Sequence, residues 1–257
     1  MTALTRRKWL QRALGAVGGM TLTACDRIAQ SEHVNSALDW AEGLNHRVQR
    51  VLLGRKALAR EYSEKDISRE FRANGTINPD TEEYNALAKS QFADWKLIVG
   101  GLVERPLQLS LEELRGMPSR SQITRHDCVE GWSCIGKWKG AQLSGVLARA
   151  GLKPAAKFIA FYCADTLELS LDGTGQYYET IDLIDAMHPQ TLLAYEMNDK
   201  PLDIPHGAPL RLRLERQLGY KMAKYVMRIE AIEHFDKLFR GKGGYWEDRG
   251  YQWYAGI

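Results

Sequence analysis

Cysteine is scarce in this chain. Four occur in 257 residues, at Cys25, Cys128, Cys134 and Cys163, and no two stand as Cys-x-x-Cys. This spacing excludes a Cys-x-x-Cys-His haem attachment and the cysteine set of an iron–sulfur cluster. No Gly-x-Gly-x-x-Gly run occurs, so the dinucleotide-binding fingerprint is missing too. There is no internal repeat and no low-complexity block. Charge of one sign is also lacking: 35 Lys and Arg against 32 Asp and Glu leave a net +3, with both signs interspersed. Without a basic block, nucleic acid is excluded as the main partner. The apolar run over residues 10–24 is shorter than the roughly 20 residues a transmembrane helix needs.

The short apolar run has another reading. It follows Thr5-Arg6-Arg7-Lys8-Trp9-Leu10, a twin-arginine pattern, and is rich in Ala and Gly. That order marks an export signal, which takes no part in the fold. Leu22-Thr23-Ala24-Cys25 closes the run and resembles the lipobox of bacterial lipoproteins, with Asp26 after it. A lipid on Cys25 would hold a soluble domain at a membrane surface. A cut elsewhere would discard Cys25. The expectation is a periplasmic protein exported by the twin-arginine route and anchored to the inner membrane.

The remainder divides by composition. Val34, Leu38, Ala41, Leu44, Val48, Val51 and Leu52 recur at helical spacing, which predicts a helical extension over residues 26–71 with Ser31 as cap. An Asn-, Gly- and Pro-containing loop at residues 72–79 opens the main domain, residues 72–257. Strands are expected over 95–103, 120–125, 157–163, 177–181, 192–197, 210–214 and 226–234. Short helices are expected after Ser110, over 143–150 and after Asp182. Many strands with few short helices predict an α+β domain on mixed sheets, with the Gly- and aromatic-rich tail 241–257 packed across the surface. A hydrophobic fraction of 44% suffices for its core.

Cys128 is the residue with chemistry to offer. It lies in Arg125-His126-Asp127-Cys128-Val129-Glu130-Gly131-Trp132. Thiolate binds metal, and a nearby cation from Arg125 or His126 would lower the thiol pKa. Soft thiolates favour redox-active or thiophilic metals over Mg²⁺ or Ca²⁺. Three other readings remain open: a small buried hydrophobe, a disulfide with Cys134, or a zinc site with Cys134, Cys163 and a histidine. The zinc reading lacks the paired spacing of common zinc folds. Trp132 reads as core.

Three segments together resemble one family: Asp127-Cys128-Val129-Glu130-Gly131-Trp132-Ser133, Pro205-His206-Gly207-Ala208-Pro209-Leu210-Arg211-Leu212 and Gly219-Tyr220-Lys221-Met222-Ala223-Lys224. The chain resembles, from about residue 71 to 235, the sulfite-oxidase-type molybdopterin-dependent oxidoreductases, in their compact bacterial periplasmic branch that includes methionine sulfoxide reductase catalytic subunits. The resemblance implies a molybdenum–molybdopterin cofactor (Mo-MPT), with Cys128 as metal ligand and catalytic residue. It implies cofactor contacts from Asn74, Cys163, His206, Arg211, Met222, Ala223 and Lys224, with Lys221 a nearby candidate. Cys163 stands where that branch carries threonine, which removes a side-chain hydroxyl. Arg211 and Lys224 would otherwise read as a solvated partner of Glu215 and a surface lysine.

The implied activity is two-electron chemistry, oxygen-atom transfer, on a small substrate such as a sulfoxide or a sulfite-like compound. With no electron carrier of its own, the chain would exchange electrons with a membrane haem or quinol-linked protein. A different class remains beside it: a non-catalytic periplasmic lipoprotein that binds a partner, with Cys128 and Cys134 disulfide-bonded.

Overall fold

The computed structural model describes residues 31–54, 56–171 and 173–257. The arginine pair, the lipobox and Cys25 lie outside the described residues. Residues 31–54 belong to one compact unit and 56–257 to another.

The first unit is a helix, Glu32–Leu53. Ser31 precedes it in an extended conformation but makes no side-chain cap bond. Leu38, Trp40, Leu44, Val48, Val51 and Leu52 are exposed along it. No helix among the described residues is long and apolar enough to cross a membrane.

The helical extension expected to reach residue 71 stops at Leu53. Gly54 follows at φ 64°, outside the helical region. Beyond it the backbone bonds the larger unit instead. The Ala59 amide donates to the Gln190 side chain at 2.8 Å, and that side chain donates back to the Ala59 carbonyl at 3.0 Å. Tyr62 N–H donates to Ile123 O at 2.8 Å, and Glu61 bridges Thr124. Helical spacing continues in this stretch, but its backbone groups already have partners in the sheet.

The larger unit carries two five-stranded sheets. The first contains β1 (Lys96–Gly101), β2 (Leu107–Ser110), β5 (Phe158–Thr166), β6 (Gln176–Asp182) and β10 (Val226–Ile232), in the order β2-β1-β10-β5-β6. The second contains β3 (Ser119–Asp127), β4 (Ser133–Gln142), β7 (Leu192–Met197) and β8 (Lys200–Pro201), in that order, with β9 (Arg211–Arg213) paired to β7. Pairing is antiparallel except between β1 and β10. Such mixed sheets with short helices are the α+β architecture the sequence predicts.

Local signals place the elements as expected. Ser110 and Glu113 form a reciprocal capping box on the helix Leu111–Arg115. Asp182 caps the helix Leu183–Ala186 through the Asp185 amide. Asn198 and Asp199, both at positive φ, turn β7 into β8. Leu97, Ile159, Phe161 and Ile229 are completely buried between neighbouring strands. β4 was not foreseen, because its Gly136 and Gly140 dilute the strand pattern. Gly140 is there for space: a Cβ would lie 2.3 Å from the Leu193 carbonyl oxygen of β7. The helix Glu82–Lys89, capped by Thr81, was not foreseen either.

The tail does more than cross the surface. Tyr245, Glu247, Tyr254 and Ala255 are buried, and Gly244 and Gly256 bridge to Glu179 and Gln217.

Candidate active site

Cys128 directly follows β3, at the tip of the β3–β4 hairpin. Its N–H donates to Trp132 O at 2.9 Å, and Gly131 N–H donates back to Cys128 O at 3.0 Å. Gly131 sits at φ 85°, a conformation that L side chains resist. The turn fixes the thiol at the wall of a cleft with about 930 Å³ of empty space, counting its open mouth. Cys128 is 8% exposed, and Asn74 Nδ2 donates to its sulfur at 3.3 Å.

The cleft gathers most of the anticipated residues. Cys128, Asn74, His206, Arg211, Met222 and Lys224 all line it. They come from five separate places in the chain: the 72–79 loop, the β3–β4 hairpin, the 3₁₀ turn Ile204–His206, β9 and the segment before β10. Cys163 and Ala223 are completely buried and stand behind the lining. Ala223 offers its carbonyl to Leu212 N–H at 2.8 Å, which ties its segment to β9.

The cations are deeper than surface readings of them would have it. Arg211 is 4% exposed and lies over the Trp138 ring at 4.9 Å. One nitrogen donates to His206 O at 3.0 Å, while its Nε has no hydrogen-bond partner among the described residues. Burial, and then Arg213, push its pKa down to about 9. Glu215 is bound to Arg213 at 2.6 Å, not to Arg211. Lys224 donates to the carbonyls of Asn74, Thr76 and Pro205 at 2.7, 2.5 and 3.0 Å. Burial, and then Arg211, lower its pKa to about 7. His206 engages Asp203 through Nδ1 at 2.5 Å and the Phe71 carbonyl through Nε2 at 2.9 Å.

Lys221 departs from the expectation of a cofactor contact. It is completely buried and pairs with Glu179 and Glu247, with 2.6 Å to the latter. This triad anchors the tail to β6.

The expected cationic help for the Cys128 thiol is not delivered by its neighbours. Arg125 turns to the Asp127 carboxylate at 2.9 Å. His126 is 6% exposed, and burial, then Arg213, Arg211 and Lys224, hold its pKa well below the usual value. The Cys128 pKa is raised by burial, with the Glu130 carboxylate adding to the rise. The Glu130 amide, Arg72 and Asn74 work against it. A coordinated metal ion, by contrast, deprotonates a thiol outright. The thiol therefore stays protonated unless something bound in the cleft displaces its proton.

Cys134 is a free thiol, as are Cys128 and Cys163. Its sulfur approaches the Glu70 carbonyl at 3.8 Å. Trp132 is half-buried, not core. It donates to Glu130 at 3.0 Å and carries Arg72 over its ring at 5.2 Å.

The sequence reading missed Thr76, Asp165, Leu167, Tyr177, Trp246 and Tyr251, which also line the cleft. Asp165 had a signal: it is a carboxylate closing the otherwise apolar strand β5. Trp246 and Tyr251 had none, because the tail carries no strand or helix periodicity.

A single buried thiol facing a cleft, with buried cations and an unused Arg211 donor behind it, fits a ligand with a soft metal at one end and anionic groups at the other. The fold and this donor set define a cofactor-dependent redox protein. Residues 84–239 match the family described as the oxidoreductase molybdopterin binding domain, and the chain belongs to that family. It is an oxidoreductase that uses molybdenum–molybdopterin.

The relatives agree. A chain of Azospira oryzae, provisionally named protein-methionine-sulfoxide reductase subunit YedZ1, is 37% identical over 98% of this chain and 87% of its own length. The protein-methionine-sulfoxide reductase catalytic subunit MsrP of Xanthomonas axonopodis pv. citri is 37% identical over 60% of this chain and 49% of its own. MsrP of Campylobacter jejuni is 31% identical over 66% and 60% respectively. The chain thus spans about half of one MsrP relative and 60% of the other. Among solved structures, the sulfane dehydrogenase SoxCD of Paracoccus pantotrophus is similar over 55% of this chain and 39% of its own, with 24% identity and a TM-score of 0.48, too low to carry weight.

Proposed function

We propose that this chain is the catalytic subunit of a reductase that removes oxygen from a sulfoxide sulfur, as in methionine sulfoxide. The reading rests on one observation: the Cys128 thiol, held by Asn74, opens on a cleft that could admit both a cofactor and a substrate. The balanced half-reaction is R₂S=O + 2 H⁺ + 2 e⁻ → R₂S + H₂O. Bound molybdenum supplies the oxygen-accepting redox centre, and Cys128 is its protein ligand in this reading. Asn74 orients the sulfur and keeps electron density on it through its N–H. Arg211, His206 and the 222–224 segment hold the organic part of the cofactor.

The cleft favours a neutral substrate over a sulfite-like anion. The Glu130 carboxylate lies on the lining beside Cys128, and Arg72 faces it at 3.9 Å. Leu167, Tyr177, Tyr220, Trp246 and Tyr251 make the remaining wall largely apolar and aromatic. Thioether sulfur packs well against aromatic rings. The names of the Xanthomonas and Campylobacter relatives, catalytic subunits of protein-methionine-sulfoxide reductases, support the same substrate class.

The two electrons come from outside the chain in this reading, from a membrane haem or quinol-linked partner. Export by Arg6 and Arg7, with a lipid on Cys25, would keep the enzyme beside that partner in the periplasm and raise its effective concentration. The deciding experiment uses protein purified from its own host. Molybdenum per chain is measured, then turnover of a methionine-sulfoxide peptide with a reduced dye, and of sulfite with an oxidised one. Sulfoxide reduction that disappears in Cys128→Ser, together with the metal, is expected. Sulfite oxidation without sulfoxide reduction would refute the assignment.

A further inference from the structure

The helix Glu32–Leu53 takes no part in the roles assigned so far. Successive residues turn by about 100° around a helix axis, so each can be placed by its angle. From Val34 to Leu52, the apolar residues fall on a single arc of about 160°, with Trp40 at one edge and Leu38 at the other. Within that stretch only Asn45 breaks the arc, while Glu42, Gly43, Arg47 and Arg50 lie outside it. The large apolar side chains of the arc are exposed, Trp40 to 70% and Val51 to 80%.

Such a face calls for a cover. A lone helix of this length is marginal in water, and most helical stability comes from burying an apolar face. This helix is further weakened by Gly43 in its interior and by a Ser31 that makes no side-chain cap bond.

Three observations favour a lipid surface over a second helix as that cover. The seam of a two-helix coil is a narrow stripe, and this arc is wider. Trp40 stands at the edge of the arc, where an indole can bury its ring and keep its N–H in water, as it does at a membrane–water boundary. Glu32 is the seventh residue after Cys25, and seven residues of extended chain reach at most about 25 Å. A helix so close to the expected lipid anchor meets the bilayer before any other part of the described chain. It is not apolar enough to cross that bilayer. The charges outside the arc are of both signs, so apolar burial, not attraction to anionic lipid, has to drive the contact.

We propose that the helix Glu32–Leu53 is a membrane-docking element that lies flat in the headgroup layer of a phospholipid bilayer, with its apolar arc toward the acyl chains. This deepens the membrane-side placement proposed above and rests on it, but not on the reaction catalysed. It acts with or without a lipid on Cys25.

The test uses full-length chain purified from its own host, as wild type, Trp40→Phe and the double variant Leu44→Glu, Val48→Glu. Each is mixed with phosphatidylcholine vesicles, either plain or with acyl chains brominated near the headgroup. Bromine quenches an indole only at near contact, and the other tryptophans are common to all three proteins. Wild type should lose fluorescence in the brominated vesicles, and Trp40→Phe should lose clearly less. Each aliphatic side chain withdrawn from lipid is worth about tenfold or more in partition, so the double variant should be quenched no more than Trp40→Phe although it keeps Trp40. Equal quenching of wild type and Trp40→Phe would overturn the proposal. Wild-type quenching in the double variant would overturn it too, because Trp40 would then touch lipid without the arc being buried. Sedimentation of wild type as a dimer that the double variant breaks, with no quenching of Trp40, would give the face to a second copy of the chain instead. A wild-type protein without sulfoxide turnover would remove the functional reading and leave the quenching result as it stands.

Discussion

Asp165 lines the cleft and is buried, which makes a prediction about the cofactor-free protein. Its carboxyl titrates near 6 in the folded chain, against 3.8 when unperturbed, and burial is the main cause. Between these values the folded state binds more protons than the unfolded state. Stability therefore falls as pH rises from about 4 to about 6, and the loss is complete above 6. A gap of 6 − 3.8 = 2.2, at about 1.36 kcal/mol for each, gives about 3 kcal/mol. Asp165→Asn abolishes this dependence and leaves every other titrating group in place. Urea unfolding of the apoproteins at intervals from pH 4.5 to 7.5 reads the difference directly. The two should approach each other at the acid end, and the Asn variant should gain up to about 3 kcal/mol over wild type by pH 7. A difference that stays constant across the range would show that Asp165 is not a buried, unpaired carboxyl, and the reasoning would fail.

Two further outcomes follow from the same geometry. Lys221→Met leaves Glu179 and Glu247 buried without their ammonium, and each already has one unpartnered oxygen; a loss of about 3–5 kcal/mol in denaturant unfolding is expected, with release of the tail to proteolysis near Glu247. Asn74→Ala removes the donor to the Cys128 sulfur; molybdenum content should persist while turnover falls by about 10–100-fold, and unchanged turnover would show that Asn74 merely fills space.

Much of the fold was legible because it is written locally. Ser110 with Glu113, Asp182 with Asp185, and Asn198-Asp199 each set an element boundary through bonds to residues a few positions away. Helical periodicity in the extension was real as far as Leu53. It misled beyond Gly54, where Ala59 and Tyr62 take partners from Gln190 and Ile123. β4 was hidden for the converse reason. Its glycines weaken the local strand signal and exist for the close approach of β7.

The site divides in the same way. The sequence by itself determined the thiol, the strand that leads into it and the separate motifs around Cys128, His206 and Lys224. Charge environment was decided by tertiary structure alone. Arg125 stands three residues from Cys128 yet serves Asp127, while Asn74, 54 residues away, donates to the sulfur. Lys221 looked like a cofactor contact and is instead the buried centre of a carboxylate pair. The aromatic tail reached the cleft with no motif to announce it. The physical reason is that solvation and pairing depend on what packs against a group in space, and the packing partners here come from distant strands. A residue's type fixes which bonds it can make; only the folded chain fixes which of them it is offered.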